Sequence, residues 1–181
     1  LTRLEAAPGQ LRVLRVAEDR QPAAVPAAVT RTPGALQNGL VSVDLSSGIR
    51  WGSQAWPLPQ LALIDDPSDT WSHGINRFSG QVLDTARWET PALGADGDLM
   101  RELCQAGSIG TSALLRQVRL YAGERFVELR YRVDWNERLR LLKLVIPLPS
   151  APVSRLDGIP GGWLERPLEG NERPIRDGIL L

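Results

Sequence analysis

Val127-Glu128-Leu129-Arg130-Tyr131-Arg132-Val133-Asp134-Trp135 alternates apolar and polar residues without an error. A period of two places five apolar side chains on one face of an extended strand and four charged ones on the other. One face belongs to a core and one to water, and Trp135 closes the core-facing set. Just upstream, residues 114–121 carry Gln117 and Arg119 between apolar neighbours, and Ala122-Gly123-Glu124 is short enough for an antiparallel hairpin. Residues 99–106 are expected as another strand. Downstream, residues 139–148 are rich in Leu and Val with few charges, as expected of a strand covered on both faces before Pro147 and Pro149 end it.

The same period extends towards the N-terminus. Residues 11–16 and 40–45 read as shorter strands, the second lying between the turn formers Asn38-Gly39 and Ser46-Ser47-Gly48. Residues 78–89 are a further candidate. No amphipathic helix of four turns is found. Residues 21–34, with Pro22, Pro26 and Pro33, read as a Pro/Ala-rich connector rather than a regular element, and so does the tail from Pro149 through Pro174. The expected fold is all-β: a large antiparallel β-sandwich with long loops, formed by residues 1–181 as a single domain.

Composition narrows the function. Lys plus Arg and Asp plus Glu number 21 each, so no global basic field recommends a nucleic acid or an anionic membrane as partner. No apolar run approaches the roughly 20 residues that span a bilayer, and no signal-like segment opens the chain. The one cysteine, Cys104, cannot form an internal disulfide, and the count is compatible with the cytoplasm. A start at Leu1 without methionine and a strand-like ending at Ile179-Leu180-Leu181 suggest a piece of a longer protein.

Chemistry-bearing residues gather in Ile64-Asp65-Asp66-Pro67-Ser68-Asp69-Thr70-Trp71-Ser72-His73-Gly74, which holds three carboxylates, the only histidine and a tryptophan. Proline with Asp, Ser and Gly makes this a turn-rich, exposed loop, and acidic groups beside an indole suit a sugar. The plainer alternative is a solvated connection whose aspartates cap turns. Asp65, Asp66, Asp69 and His73 could in principle hold a divalent ion, but their spacing fits no zinc or EF-hand pattern, and no metal site is assigned. Asp65 and Asp66 point to opposite sides of an extended segment, which makes them a poor hydrolytic pair. No Gly-x-Ser-x-Gly elbow supports a serine triad, and 158–162 lacks the Lys-Ser/Thr ending of a phosphate loop. Cys104, with no histidine near it, reads as a packed side chain rather than a nucleophile. Trp51, Trp56, Trp71 and Trp163 lie near Gly or Pro and are candidates for exposure, free to stack on a sugar or to cover a neighbouring domain.

Several segments, in order, resemble the C-terminal β-sandwich region of family 38 glycoside hydrolases, the zinc-dependent α-mannosidases. Asn38-Gly39-Leu40-Val41-Ser42-Val43-Asp44 through Gly48-Ile49 looks like the opening of that region, and 65–74 like its acidic-aromatic loop. Val133-Asp134-Trp135-Asn136-Glu137-Arg138 leading to Leu141-Leu142-Lys143-Leu144 is the most specific match. Ile159-Pro160-Gly161-Gly162, Glu165-Arg166-Pro167 and Glu172-Arg173-Pro174 complete a resemblance over about 38–175. It implies a galactose-mutarotase-like supersandwich whose zinc site, built from histidines and aspartates, sits on a separate catalytic barrel. With one histidine this chain cannot rebuild that site, so no catalytic residue and no cofactor is assigned to it.

Three readings follow. The first is a non-catalytic module of an α-mannosidase that packs on the catalytic barrel of the same polypeptide and contacts mannose-containing glycans through Asp65, Asp66, Asp69, Trp71 and His73. The second is a stand-alone carbohydrate-binding sandwich. The third, an aldose-epimerase-like enzyme, is the weakest, because a single histidine leaves too little to move protons on both sides of a sugar.

Overall fold

A computed structural model describes residues 28–68, 71 and 73–181. In chain order its strands are β1 (Thr30–Thr32), β2 (Ala35–Gln37), β3 (Val41–Asp44), β4 (Gly48–Trp51), β5 (Gln54–Trp56), β6 (Gln60–Asp65), β7 (Val82–Thr85) and β8 (Arg87–Trp88). They continue with β9 (Ala92–Asp96), β10 (Met100–Ile109), β11 (Ser112–Tyr121), β12 (Val127–Asp134), β13 (Arg140–Val145), β14 (Leu156–Ile159), β15 (Gly162–Glu165) and β16 (Ile179–Leu180). No helix occurs among the described residues. The class is all-β and the pairings are antiparallel, as expected for a β-sandwich. The expected strand at 11–16 lies outside the described residues.

The strands form sheets ordered β1-β2-β3-β4-β5, β12-β11-β10-β8 with β9 also on β10, β13-β6-β7, and β15-β14-β16. Contacts divide the described residues into two compact units, one of 28–55, 89–106 and 115–132, the other of the described residues of 56–88 with 107–114 and 133–181. In the first unit, Leu36, Val43 and Ile49 are direct cross-strand partners, and all three are buried. A period-two pattern on three adjacent strands thus lands in one row, which is how alternation becomes a core. Asn38 joins this core: its side-chain amide donates to the Tyr121 and Glu124 carbonyls, both at 2.7 Å, while its Oδ1 accepts the Leu40 and Val41 N–H groups at 3.0 Å.

In the second unit the buried run is Leu61-Ala62-Leu63-Ile64 on β6, the middle strand between β13 and β7. This corrects the expectation for 139–148. The fully covered strand is β6, framed by Pro59 and Pro67, whereas β13 stands at the end of its sheet and leaves Leu144, Val145 and Ile146 exposed. A leucine-rich run marks high hydrophobicity, but only position in the sheet decides whether both faces are covered.

Other expectations shift for similar reasons. Trp135 is 40 % exposed, because β12 stops at Asp134 and the next residue, Asn136, turns to donate its N–H to Ser112 Oγ at 2.9 Å. Residues 78–89 give two short strands that begin only at Val82. The supposed irregular tail, Pro149 through Pro174, contains β14 and β15, while the strand-like ending at 179–181 holds β16 as expected. Of the 21–34 connector, residues 21–27 lie outside the described set, and Thr30–Thr32 is a strand. The hairpin of β11 and β12 is as expected: Gly123 takes φ 72°, and Glu124 N–H donates to the Tyr121 carbonyl at 3.3 Å.

Candidate functional site

β6 ends by delivering Asp65 opposite Arg140 of β13, its direct cross-strand partner. Arg140 Nη1 donates to Asp65 Oδ1 at 2.6 Å, and the Asp65 N–H donates to the Gln81 carbonyl at 3.0 Å. One residue on, the Asp66 N–H donates to the Leu139 carbonyl at 3.2 Å. Asp66 Oδ1 accepts the Ser68 N–H at 3.2 Å and the Ser68 hydroxyl at 2.5 Å, closing an Asx turn around Pro67. The start of the 65–74 loop is therefore tied down on both sides.

Beyond that turn the loop opens to solvent. Trp71 is 78 % exposed and His73 is exposed, while Asp69 lies outside the described residues. Leu139, which receives the Asp66 bond, has φ 52° and is 66 % exposed, a left-handed conformation that costs a branched side chain free energy. Asp65 and Asp66 thus hold structural partners, and Trp71 and His73 are the members presented outward. Among the described residues no group of three or more His, Cys, Asp or Glu side chains is placed to hold a metal ion.

A second polar constellation, on the first unit, was not singled out from the sequence. Glu102 on β10 is buried and accepts the Arg119 Nε–H from β11; Arg119 also approaches Glu128 on β12 at 3.9 Å. Glu128 in turn accepts the Tyr121 hydroxyl at 2.5 Å and Arg130 Nε–H at 2.6 Å. Burial pushes the Glu102 carboxyl up, but the Arg119 guanidinium and Cys104 thiol outweigh it and hold it below its ordinary value. The Glu128 carboxyl is also lowered, chiefly by the Tyr121 hydroxyl. Part of the signal was present in the sequence, as the alternating charges of β12, which read as a solvated face; the partners Glu102 and Arg119 lie on strands whose charges do not alternate.

Cys104 belongs to this constellation. Its thiol donates to Glu102 Oε1 at 3.2 Å, and burial first, then the Glu102 carboxylate, push it above its ordinary value. A thiol held protonated is a poor nucleophile, and this one is a packing group.

The family described as Glycosyl hydrolases family 38 C-terminal domain matches residues 64–179. A search of curated proteins gave no match. The matched stretch begins at the end of β6 and takes in the 65–74 loop, the β10–β11–β12 meander and the closing β14–β15 hairpin. It covers more than half of the 181 residues, and the chain belongs to the family of glycosyl hydrolase family 38 C-terminal domains.

Proposed function

We propose that this chain is the non-catalytic β-sandwich of an α-mannosidase, that it packs on the catalytic barrel of the same polypeptide, and that its 65–74 loop faces mannose-containing glycans. Family membership supports the enzyme class. The observation that carries the packing is the apolar surface at both ends of the β13-β6-β7 sheet, where Val82, Leu83, Leu144, Val145 and Ile146 are exposed. Apolar residues on the outer strands of a sheet are a liability that a covering partner removes. Trp71 supports the glycan contact, because an exposed indole in a loop that also carries hydrogen-bonded carboxylates can stack on a sugar ring.

The residues do not fit a catalytic zinc. One histidine and no clustered His, Cys, Asp or Glu group among the described residues leave too few ligands, so zinc is assigned to the barrel. No described helix is long and apolar enough to cross a membrane. The lone cysteine supports a cytoplasmic placement of the parent enzyme.

Hydrogen exchange on the 181-residue chain, alone and mixed with the catalytic barrel, tests the packing. Added protection over β13 and β7 is the expected result. Unchanged exchange there, together with saturable mannoside binding by the chain alone, would replace this reading with that of a stand-alone carbohydrate-binding module. For the glycan contact, Trp71→Ala in the full enzyme is expected to raise KM on mannosides, and unaltered kinetics would remove the loop from the cleft.

A further inference from the structure

We propose that Trp163 is a stacking platform for a pyranose ring, a glycan contact carried by a different sheet from the 65–74 loop. The inference rests on the reading that the parent enzyme works on glycans, and it deepens that reading by naming a second contact. β14 and β15 join through Gly161, at φ 88°, and Gly162, so Trp163 falls directly opposite Gly158. Gly158 donates its N–H to the Gly178 carbonyl at 2.8 Å, which brings the 177–178 backbone alongside β14. The indole therefore crosses β14: its Cη2 lies 3.8 Å from the position a Cβ on Gly178 would take. The outer edge of the ring thus rests beside the Gly178 backbone, and Trp163 is 52 % exposed, with indole surface left open for a ligand.

The segment reached by the far edge of the ring also carries Arg176 and Asp177. Their side chains are 61 % and 66 % exposed and pair at 3.5 Å. A carboxylate acceptor beside a guanidinium donor suits neighbouring hydroxyls on a sugar, and Glu165 adds an exposed acceptor on the Trp163 side of β15. The alternative occupant is a protein surface, for which Leu156 and Leu180 in the next row would serve. Protein anchors are surrounded by groups that shut out water. Here the surround is polar and exposed: Glu165 stands two residues along β15 on the same side as Trp163, and Asp177 lies against Gly158, the cross-strand partner of Trp163, as a pyranose with hydroxyls at its rim requires.

The test is an NMR titration of the 181-residue chain with methyl α-mannoside and a short α-mannoside, read on the tryptophan indole signals. A saturable shift of Trp163 at millimolar ligand is expected, lost in Trp163→Ala and weakened about threefold or more in Asp177→Asn. Amide dispersion monitors the fold, and Trp163→Phe serves if the alanine variant unfolds. Movement of Trp71 alone overturns this inference and leaves the loop reading standing; movement of Trp163 alone does the reverse. Trp163 that ignores both sugars but shifts on adding the catalytic barrel would be a protein anchor, and the inference would fall.

Discussion

Arg140 reaches straight across the β6–β13 pair to Asp65, 2.6 Å from guanidinium to carboxylate, at the point where the strand gives way to the acidic loop. Both side chains are more than a third exposed or close to it, so water screens the pair and its worth is about 0.5–1 kcal/mol. Arg140→Ala and Asp65→Ala should each lower stability by about that amount, and the double variant by clearly less than their sum. Urea midpoints for the four proteins measure the coupling. Strict additivity would mean that the bridge contributes nothing and that the backbone bonds of Asp65 and Asp66 alone anchor the loop.

Gly80 anchors the other flank of the same strand end. A Cβ there would lie 2.0 Å from the Asp65 carbonyl oxygen, a backbone atom that cannot swing aside. Gly80→Ala should therefore push residues 78–81 off β6 and cost about 2 kcal/mol or more. The expected signature is faster hydrogen exchange at the Asp65 N–H, whose acceptor is the Gln81 carbonyl. Gly97→Ala is the control: its Cβ meets only the Met100 carbonyl oxygen at 3.6 Å, and the change should be near neutral. Equal effects would show that glycine removal as such, not the contact with Asp65, sets the cost.

How far these features could be read from the sequence follows from what each depends on. The meander of β10 to β12 was legible because alternation and a Gly-containing hairpin are local signals. The buried β6 was not, since Leu61-Ala62-Leu63-Ile64 is too short to display a period. Position within the sheet also escaped: β13 and Leu61–Ile64 are both leucine-rich, yet only the latter lies between two strands. In the candidate site, exposure of Trp71 followed from turn chemistry, but the Asp65–Arg140 pair joins residues far apart in sequence and needs the register to be seen. Trp163 shows the same limit, because only the register sets it opposite Gly158 and so near Asp177.

Asn38 offers a sharper stability test on the first unit. It is only 2 % exposed, and its amide donates to two carbonyl oxygens while its Oδ1 accepts two N–H groups. Asn38→Ala leaves one buried and three part-buried backbone groups without that partner and should cost about 2–3 kcal/mol. Asn38→Asp keeps the accepting oxygen but turns a carboxylate oxygen towards the Tyr121 and Glu124 carbonyls, so it should be at least as damaging, increasingly so as pH rises. Thermal unfolding of both variants at two pH values would show it. An aspartate variant as stable as the native chain would mean that the two carbonyl contacts carry little.

The turn joining β10 to β11 makes the fold sensitive to acid. Asp84 Oδ2 accepts the Gly110 N–H at 2.8 Å, and Glu137 Oε1 accepts the Thr111 N–H. The Gly110 N–H, then the Arg87 guanidinium, hold the Asp84 carboxyl below its ordinary 3.8; the Thr111 N–H and hydroxyl hold the Glu137 carboxyl below its ordinary 4.5. A carboxyl lowered by folding stabilises the folded state above its unfolded value, and that contribution is lost as pH falls through the lowered folded value. Stability should therefore be level near neutrality and fall progressively below about pH 4.5. Asp84→Asn and Glu137→Gln should each reduce stability at pH 7 and flatten this acid limb, because the neutral side chain no longer titrates. The decisive measurement is urea unfolding from pH 7 to pH 3, in which an acid limb of unchanged steepness in both variants would shift the cause to other carboxylates such as Glu102 and Glu128, which are also lowered.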